Sequence, residues 1–279
     1  MALMSERALS EPASIAVLLP VFNDDGRLDA TLRSIEAQQV PVVVVVVDDG
    51  SDVPVVVRHR SREEIVVLRH DINRGIEHAL NTGLAYIVGR GIPYVARLDN
   101  GDCCAPGRLE RQRDFLKQNP SVYVVGCAVE WRDDAGRSRF TKTFPTTHDR
   151  IMRALPHKTA LPHAAVMFRT SVVHTVGMYS TAYPVAEDLE FFRRIALRHR
   201  VANLPETLLV TRYDPSGLSM RRRREQLKST FRIQLAFFRP LAWTSYYGLV
   251  KTLVRYLVPY SVIVAVKGAM SRRAGTEAI

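Results

Sequence analysis

Val42 to Val47 are six valines without a break. A run with no polar face is comfortable only as a central strand covered on both sides, the usual setting of strands in parallel sheets flanked by helices. The neighbouring segments carry a matching alternation. Ile15 to Phe22 reads as a buried strand ended by Asn23-Asp24-Asp25-Gly26. Leu28, Leu32 and Ile35 then fall on one face of a helix whose start the Asp24-Asp25 pair can cap. Ile65 to Leu68 is β-like and leads through Asn73-Arg74-Gly75 to a helix lined by Ile76, Leu80, Leu84 and Ile87. A further apolar run reaches Leu98. Strands alternating with helices predict an α/β chain with a doubly wound, mostly parallel sheet.

The ends of these strands are polar. Asn23-Asp24-Asp25, Asp48-Asp49 and Arg97-Leu98-Asp99-Asn100-Gly101-Asp102 each follow an apolar run. One such end is what any turn looks like. Three along one sheet edge would make a nucleotide-sized crevice where open α/β sheets place ligands. No G-x-G-x-x-G follows the first strand and no Walker lysine motif is present, so phosphate charge must be met by a cation or by arginines. Asp99 and Asp102, on a glycine-containing turn, could share a divalent cation with nucleotide phosphates.

The chain has 279 residues, 47% hydrophobic and 24% charged, with Lys+Arg 39 against Asp+Glu 28 and a net charge of +11. Such a balance implies an anionic partner. The three cysteines, Cys103, Cys104 and Cys127, have no metal-ligand spacing and suggest a reducing, cytosolic compartment. Met1 to Ser14 lacks the apolar core of a signal peptide. Positive charge gathers late: Arg221 to Arg224, then Lys228, Arg232, Arg239, Lys251 and Arg255, interleaved with aromatic and aliphatic residues. That pattern suits amphipathic helices at a membrane interface, or helices covering the sheet or forming a homodimer contact. The apolar run Leu257 to Val266 is too short to span a bilayer and contains Pro259. Nucleic acid is excluded as a partner because an acidic crevice repels a polyanion.

Pro20-Val21-Phe22-Asn23, Asp48-Asp49-Gly50-Ser51-Asp52, Asn73-Arg74-Gly75 and Arg97 to Asp102 with Pro106 and Arg108-Leu109-Glu110 occur in that order. They are followed by His163 to Arg169, Val176-Gly177-Met178-Tyr179 and Glu187 to Arg194. The series resembles the successive motifs of the family 2 glycosyltransferases over residues 14–220. The resemblance implies a GT-A-like (Rossmann-like) fold and an inverting transfer of a sugar from a nucleotide-diphosphate donor, UDP-type favoured. The acceptor would be a saccharide or lipid-linked saccharide, in cell-surface polysaccharide synthesis. Because such acceptors are often lipid-linked, the membrane reading of the late helices is preferred, with the protein cytoplasmic or peripheral on the inner face of the cell membrane.

The roles implied by the resemblance are specific. Asp49 would receive the nucleotide base, supported by Asp48, with Pro20, Phe22, Asn23, Asn73, Arg74, Gly75, Arg97 and Asp99 around the donor. Asp188, beside Glu187, would be the general base, and His163 and Arg169 would face the acceptor. Asp99, Asp102 and Asp214 would hold Mg2+ or Mn2+. Here Gly101 takes the place of the second acid of the family's D-x-D, and Asp214 stands where a late histidine is common. The expected organisation is a tail (1–13), a transferase domain (14–220, divided into a nucleotide half 14–110 and an acceptor half 111–220) and a basic amphipathic extension (221–279). A catalytically silent nucleotide-sugar-binding or scaffolding subunit is the alternative.

Overall fold

The valine run forms β2 (Val42–Asp48), buried throughout. Val42, Val44 and Val46 enter one apolar core while Val43, Val45 and Val47 enter a second on the opposite face. Burying each of these side chains stabilises the fold by about 1.5–3 kcal/mol before conformational entropy is subtracted. The computed structural model describes residues 13–58, 63–213 and 222–258.

β1 (Ile15–Val21) pairs parallel with β2, and β2 in turn with β3 (Glu64–Arg69). The connections are α1 (Leu28–Glu36) and, between β3 and β4 (Tyr94–Arg97), α2 (Ile76–Gly89). As expected, the Asp24 carboxylate caps α1, accepting the backbone N–H groups of Arg27 and Leu28 at 3.2 and 3.1 Å.

The second half contains β5 (Cys103–Cys104), α3 (Arg108–Gln118), β6 (Val122–Arg132) and β7 (Ser138–Lys142). Next come α4 (His148–Ala154), a 3-10 turn at His163–Ala165, β8 (Met167–Arg169) and α5 (Val172–Val176). α6 (Glu187–Arg198), β9 (Arg200–Arg212), α7 (Arg223–Ala236) and α8 (Trp243–Leu257) complete the described chain. Among the described residues the strands form one sheet in the order β3-β2-β1-β4-β8-β6-β9-β5, with β7 paired to β6.

Only the β3-β2-β1-β4 portion is wholly parallel. β8 runs antiparallel to both β4 and β6, β9 is parallel to β6, and β5 is antiparallel to β9. The second half is therefore mixed, because an antiparallel neighbour needs no crossover helix. The expected hairpin is present: Trp131 on β6 stacks on Phe140 of β7 at 4.9 Å.

Candidate active site

Parallel pairing sets the tips of β1, β2 and β4 side by side, with Val21 opposite Asp48 and Leu18 opposite Arg97. The chain leaves β2 through Gly50, whose φ is +70° and whose hypothetical Cβ would lie 2.2 Å from the carbonyl carbon of Ile72. Only glycine permits this approach, which brings the loop before α2 against Asp49. The Asp49 carboxylate accepts the N–H groups of Arg74 (3.0 Å) and Gly75 (2.9 Å) and lies 2.7 Å from His70 Nδ1. Asp48 is fully buried behind it, accepting from Ser51 N, Val55 N and the Arg69 guanidinium. Burial opposes its ionisation, but these bonds hold the carboxyl below the usual range.

At the tip of β4, Arg97 is fully buried and its Nη2 donates to Asp99 Oδ1 at 2.5 Å. Enclosure opposes ionisation of Asp99, and the Arg97 charge outweighs it, keeping this carboxyl ionised. Asp102 shows the reverse balance: burial and the charge of Asp99 push it up to about 7 despite a hydrogen bond from Thr211.

The opposite wall comes from the start of α6. Val185, two residues before α6, has φ +61°, a left-handed conformation that is strained for a β-branched residue. Glu187 and Asp188 occupy the first turn, Asp188 Oδ1 accepting its neighbour Leu189 N–H at 2.7 Å. Burial and the adjacent Asp188 charge push Glu187 up to about 8, and its buried Oε2 has no hydrogen-bond partner. Burial likewise raises Asp188, opposed by the Leu189 N–H and by Arg97. His163 places Nε2 3.1 Å from the Tyr179 hydroxyl. Burial and Arg97 depress its pKa to about 3, so the ring is neutral.

These groups surround one cavity of about 670 Å³. Pro20, Phe22, Asp49, Asn73, Gly75, Asp99, Asp102, His163, Glu187 and Asp188 all line it. Arg74 contributes its backbone N–H to Asp49, while Asp48 and Arg97 lie beneath the surface. Two expected residues are elsewhere. Asn23 pairs with Asp52 and faces a neighbouring hollow. Arg169 turns away from the cavity, donating to the carbonyls of Val122 and Leu116 and stacking on Tyr94 and Tyr123. It ties β8 to β6 and α3, because a half-buried guanidinium with five donors needs several acceptors. Asp214 lies outside the described residues.

Four lining residues escape a reading of local pattern: Arg27, Arg212, Arg222 and Gln226. Arg222 belongs to the arginine run expected at a membrane, and α7 swings it onto the cavity wall. Arg27 is a single arginine beside an acidic turn, with no spacing that distinguishes it from a surface charge, whereas Arg212 lies two residues before Asp214, in the stretch compared with the family's late motif.

Among the described residues no three His, Cys, Asp or Glu side chains gather as a self-sufficient metal site. The donor chemistry still fits a shared one. Asp99 and Asp102 are two hard oxygen ligands in a confined space, and Mg2+ commonly uses one or two carboxylates together with substrate phosphates.

The family model described as Glycosyl transferase family 2 matches residues 16–177, more than half of the chain. The chain belongs to glycosyl transferase family 2. It is a glycosyltransferase, which sets aside the reading as a silent binding subunit. The amylovoran biosynthesis glycosyltransferase AmsE of Erwinia amylovora is 30% identical over 261 residues, covering 89% of this chain and 96% of that protein. The O-antigen biosynthesis glycosyltransferase WbnJ of Escherichia coli is 30% identical over 118 residues, 41% of this chain and 45% of that protein. Residues 1–349 of TarS from S. aureus, solved in complex with UDP-GlcNAc, superimpose with a TM-score of 0.64 at 19% identity, covering 87% of this chain and 72% of that one. The mannosyltransferase PcManGT from Pyrobaculum calidifontis, in complex with GDP-Man and Mn2+, gives 0.60 at 17% identity over 96% and 84%. The family 2 chain thus has the GT-A fold. Its family match ends before Glu187 and Asp188, which the fold nevertheless brings to the same cavity as Asp49 and Asp99.

Proposed function

We propose that the 670 Å³ cavity binds a nucleotide-diphosphate sugar, UDP-type favoured, and that the enzyme transfers its sugar with inversion to a saccharide or lipid-linked saccharide in cell-surface polysaccharide synthesis. One observation carries the reading: Asp49, Asp99 and Asp188, from three separate elements, share one hollow. The names of AmsE and WbnJ, and the nucleotide sugars held by TarS and PcManGT, favour the same substrate class.

In this reading Asp49 orders the loop that receives the base. Asp188 takes the proton from the acceptor hydroxyl as that oxygen bonds to the anomeric carbon, and the bond from that carbon to the diphosphate breaks on the opposite side. The neutral His163 brings no positive charge of its own to the site. Arg27, Arg212 and Arg222 line the wall, paired with Asp25, Asp134 and Glu225 respectively. Asp99 and Asp102 would hold Mg2+ or Mn2+, with Asp214 a further ligand; a bound cation neutralises charge on the departing diphosphate. A thermal-shift and turnover screen of nucleotide sugars, each with and without Mg2+ or Mn2+, tests this proposal. Stabilisation and turnover with one donor class support it; no response to any donor contradicts it.

The 221–279 extension is proposed to rest on an anionic membrane surface. No helix among the described residues is long and apolar enough to cross one. α8 is inverted for a water-exposed helix: Ser245, Gly248 and Thr252 face inward, whereas Trp243, Tyr246, Tyr247, Val250, Leu253, Val254 and Leu257 are exposed. An apolar outer face rimmed by aromatic rings and cations suits the boundary between headgroups and acyl chains.

A further inference from the structure

A second cavity, of about 200 Å³, lies behind the catalytic wall between the 155–161 loop, the start of α6 and the helices α7 and α8. It meets the larger cavity at Val185, Asp188 and Gln226, which line both. The arrangement is built closely: Gly248 on α8 lets the helix approach until a Cβ there would lie 2.1 Å from the Pro156 carbonyl oxygen.

The lining has a definite chemistry. Asp188 is the one acid among its described residues, against His157, Lys158, Lys251 and Arg255. Burial, Lys251 and Lys158 lower the pKa of His157, so the positive charge comes from the lysines and the arginine. Two polar atoms facing this region lack a partner. Gln234 is only 5% exposed, and its Nε2 donates to Pro156 O at 2.9 Å while its Oε1 is buried with no donor. His157 Nδ1 is buried in the same condition. A buried acceptor without a donor destabilises the fold, and a ligand hydroxyl would remove that cost.

We propose that this second cavity is an acceptor subsite for a sugar carrying a negative charge, a phosphate ester or a carboxylate. The assignment rests on the transferase reading above. Gln234 Oε1 takes a ring hydroxyl, Lys251, Arg255 and Lys158 take the anionic group, and the hydroxyl to be glycosylated faces Asp188. α8 then serves two surfaces, holding the charged end of the acceptor with its inner side and the membrane with its outer one.

Titration of the full chain with glucose 1-phosphate, glucuronic acid and glucose, followed by NMR or calorimetry, tests the proposal. We expect at least one anionic sugar to bind at least about tenfold more tightly than glucose, a preference of the size expected for a charged pair. Which of the two does so separates a phosphate ester from a carboxylate. The variant Lys251→Gln/Arg255→Gln should lose the preference while keeping nucleoside diphosphate affinity and donor hydrolysis. Lys158→Gln, at an exposed position, should weaken it severalfold and covers the case in which the double variant fails to fold. Equal affinity for all three sugars, or a preference that survives these substitutions, overturns the subsite. Loss of nucleotide binding and turnover in the wild type would instead indict the donor reading.

Discussion

The buried guanidinium of Arg97 lies 2.5 Å from the carboxylate of Asp99, two residues further along the tip of β4. Arg97 is the counter-charge for more than this partner, since it also lowers the pKa values of Asp102, Glu187 and Asp188. Four of the cavity's five acids, all but Asp49, thus share one cation locked under them.

Arg97→Gln should therefore act on stability and on pH dependence together. Asp99 is 45% exposed and can take water in place of its partner, so the loss should be about 1–3 kcal/mol, which urea unfolding will measure. The acid limb of the pH-rate profile should also move to higher pH, because losing Arg97 raises Asp188 further and the general base must be ionised. A limb that stays in place separates Arg97 from the base.

Glu187 offers a test with the sign fixed in advance. Its carboxyl is raised from 4.5 to about 8, so the folded protein holds a proton that the unfolded chain releases between those values. The contribution to stability falls as pH rises through that window. Glu187→Gln removes the penalty: the variant should match the wild type below about pH 4 and exceed it by on the order of 3 kcal/mol near pH 8. Thermal unfolding across pH reads this directly, and a pH-independent difference would contradict it.

Gly50→Ala should disturb donor binding from a distance. The added methyl meets the Ile72 carbonyl carbon at 2.2 Å in a conformation with φ +70°. The cost is about 2 kcal/mol or more, and the loop that supplies the Arg74 and Gly75 N–H groups to Asp49 must shift. Donor KM should rise more than kcat falls; an unchanged donor KM would separate this turn from the nucleotide.

Exposure on α8 separates membrane contact from folding. Trp243 is 72% exposed and Leu257 69%, so Trp243→Ser/Leu257→Ser should alter stability by no more than about 0.5 kcal/mol per site. Flotation with anionic vesicles should nevertheless fall sharply. Unchanged flotation, or a wild type that remains unbound while forming dimers, would assign the face to a second copy of the chain.

Much of this was legible because it is local. Six valines determine a strand buried on two faces, and the acids at strand ends follow from the chain leaving the sheet there. The Glu187-Asp188 pair sits at the head of the helical stripe Leu189, Phe192 and Ile195. What was not legible depends on contacts distant in sequence. Nothing near Arg169 signals that its partners are the carbonyls of Leu116 and Val122. Nothing in the arginine run separates Arg222, on the cavity wall, from the solvated Arg224. The spacing in α8 shows an apolar stripe without saying that small polar residues, rather than that stripe, face the protein.

The central claim is that Asp188 performs chemistry on a donor held by Asp49 and Asp99. Calorimetric binding of the nucleotide sugar and single-turnover transfer, both measured on Asp188→Asn, test it most directly. Donor affinity should stay within about threefold of wild type while transfer falls by about 10²–10⁴-fold. Transfer that persists at the wild-type rate in this variant would contradict the account.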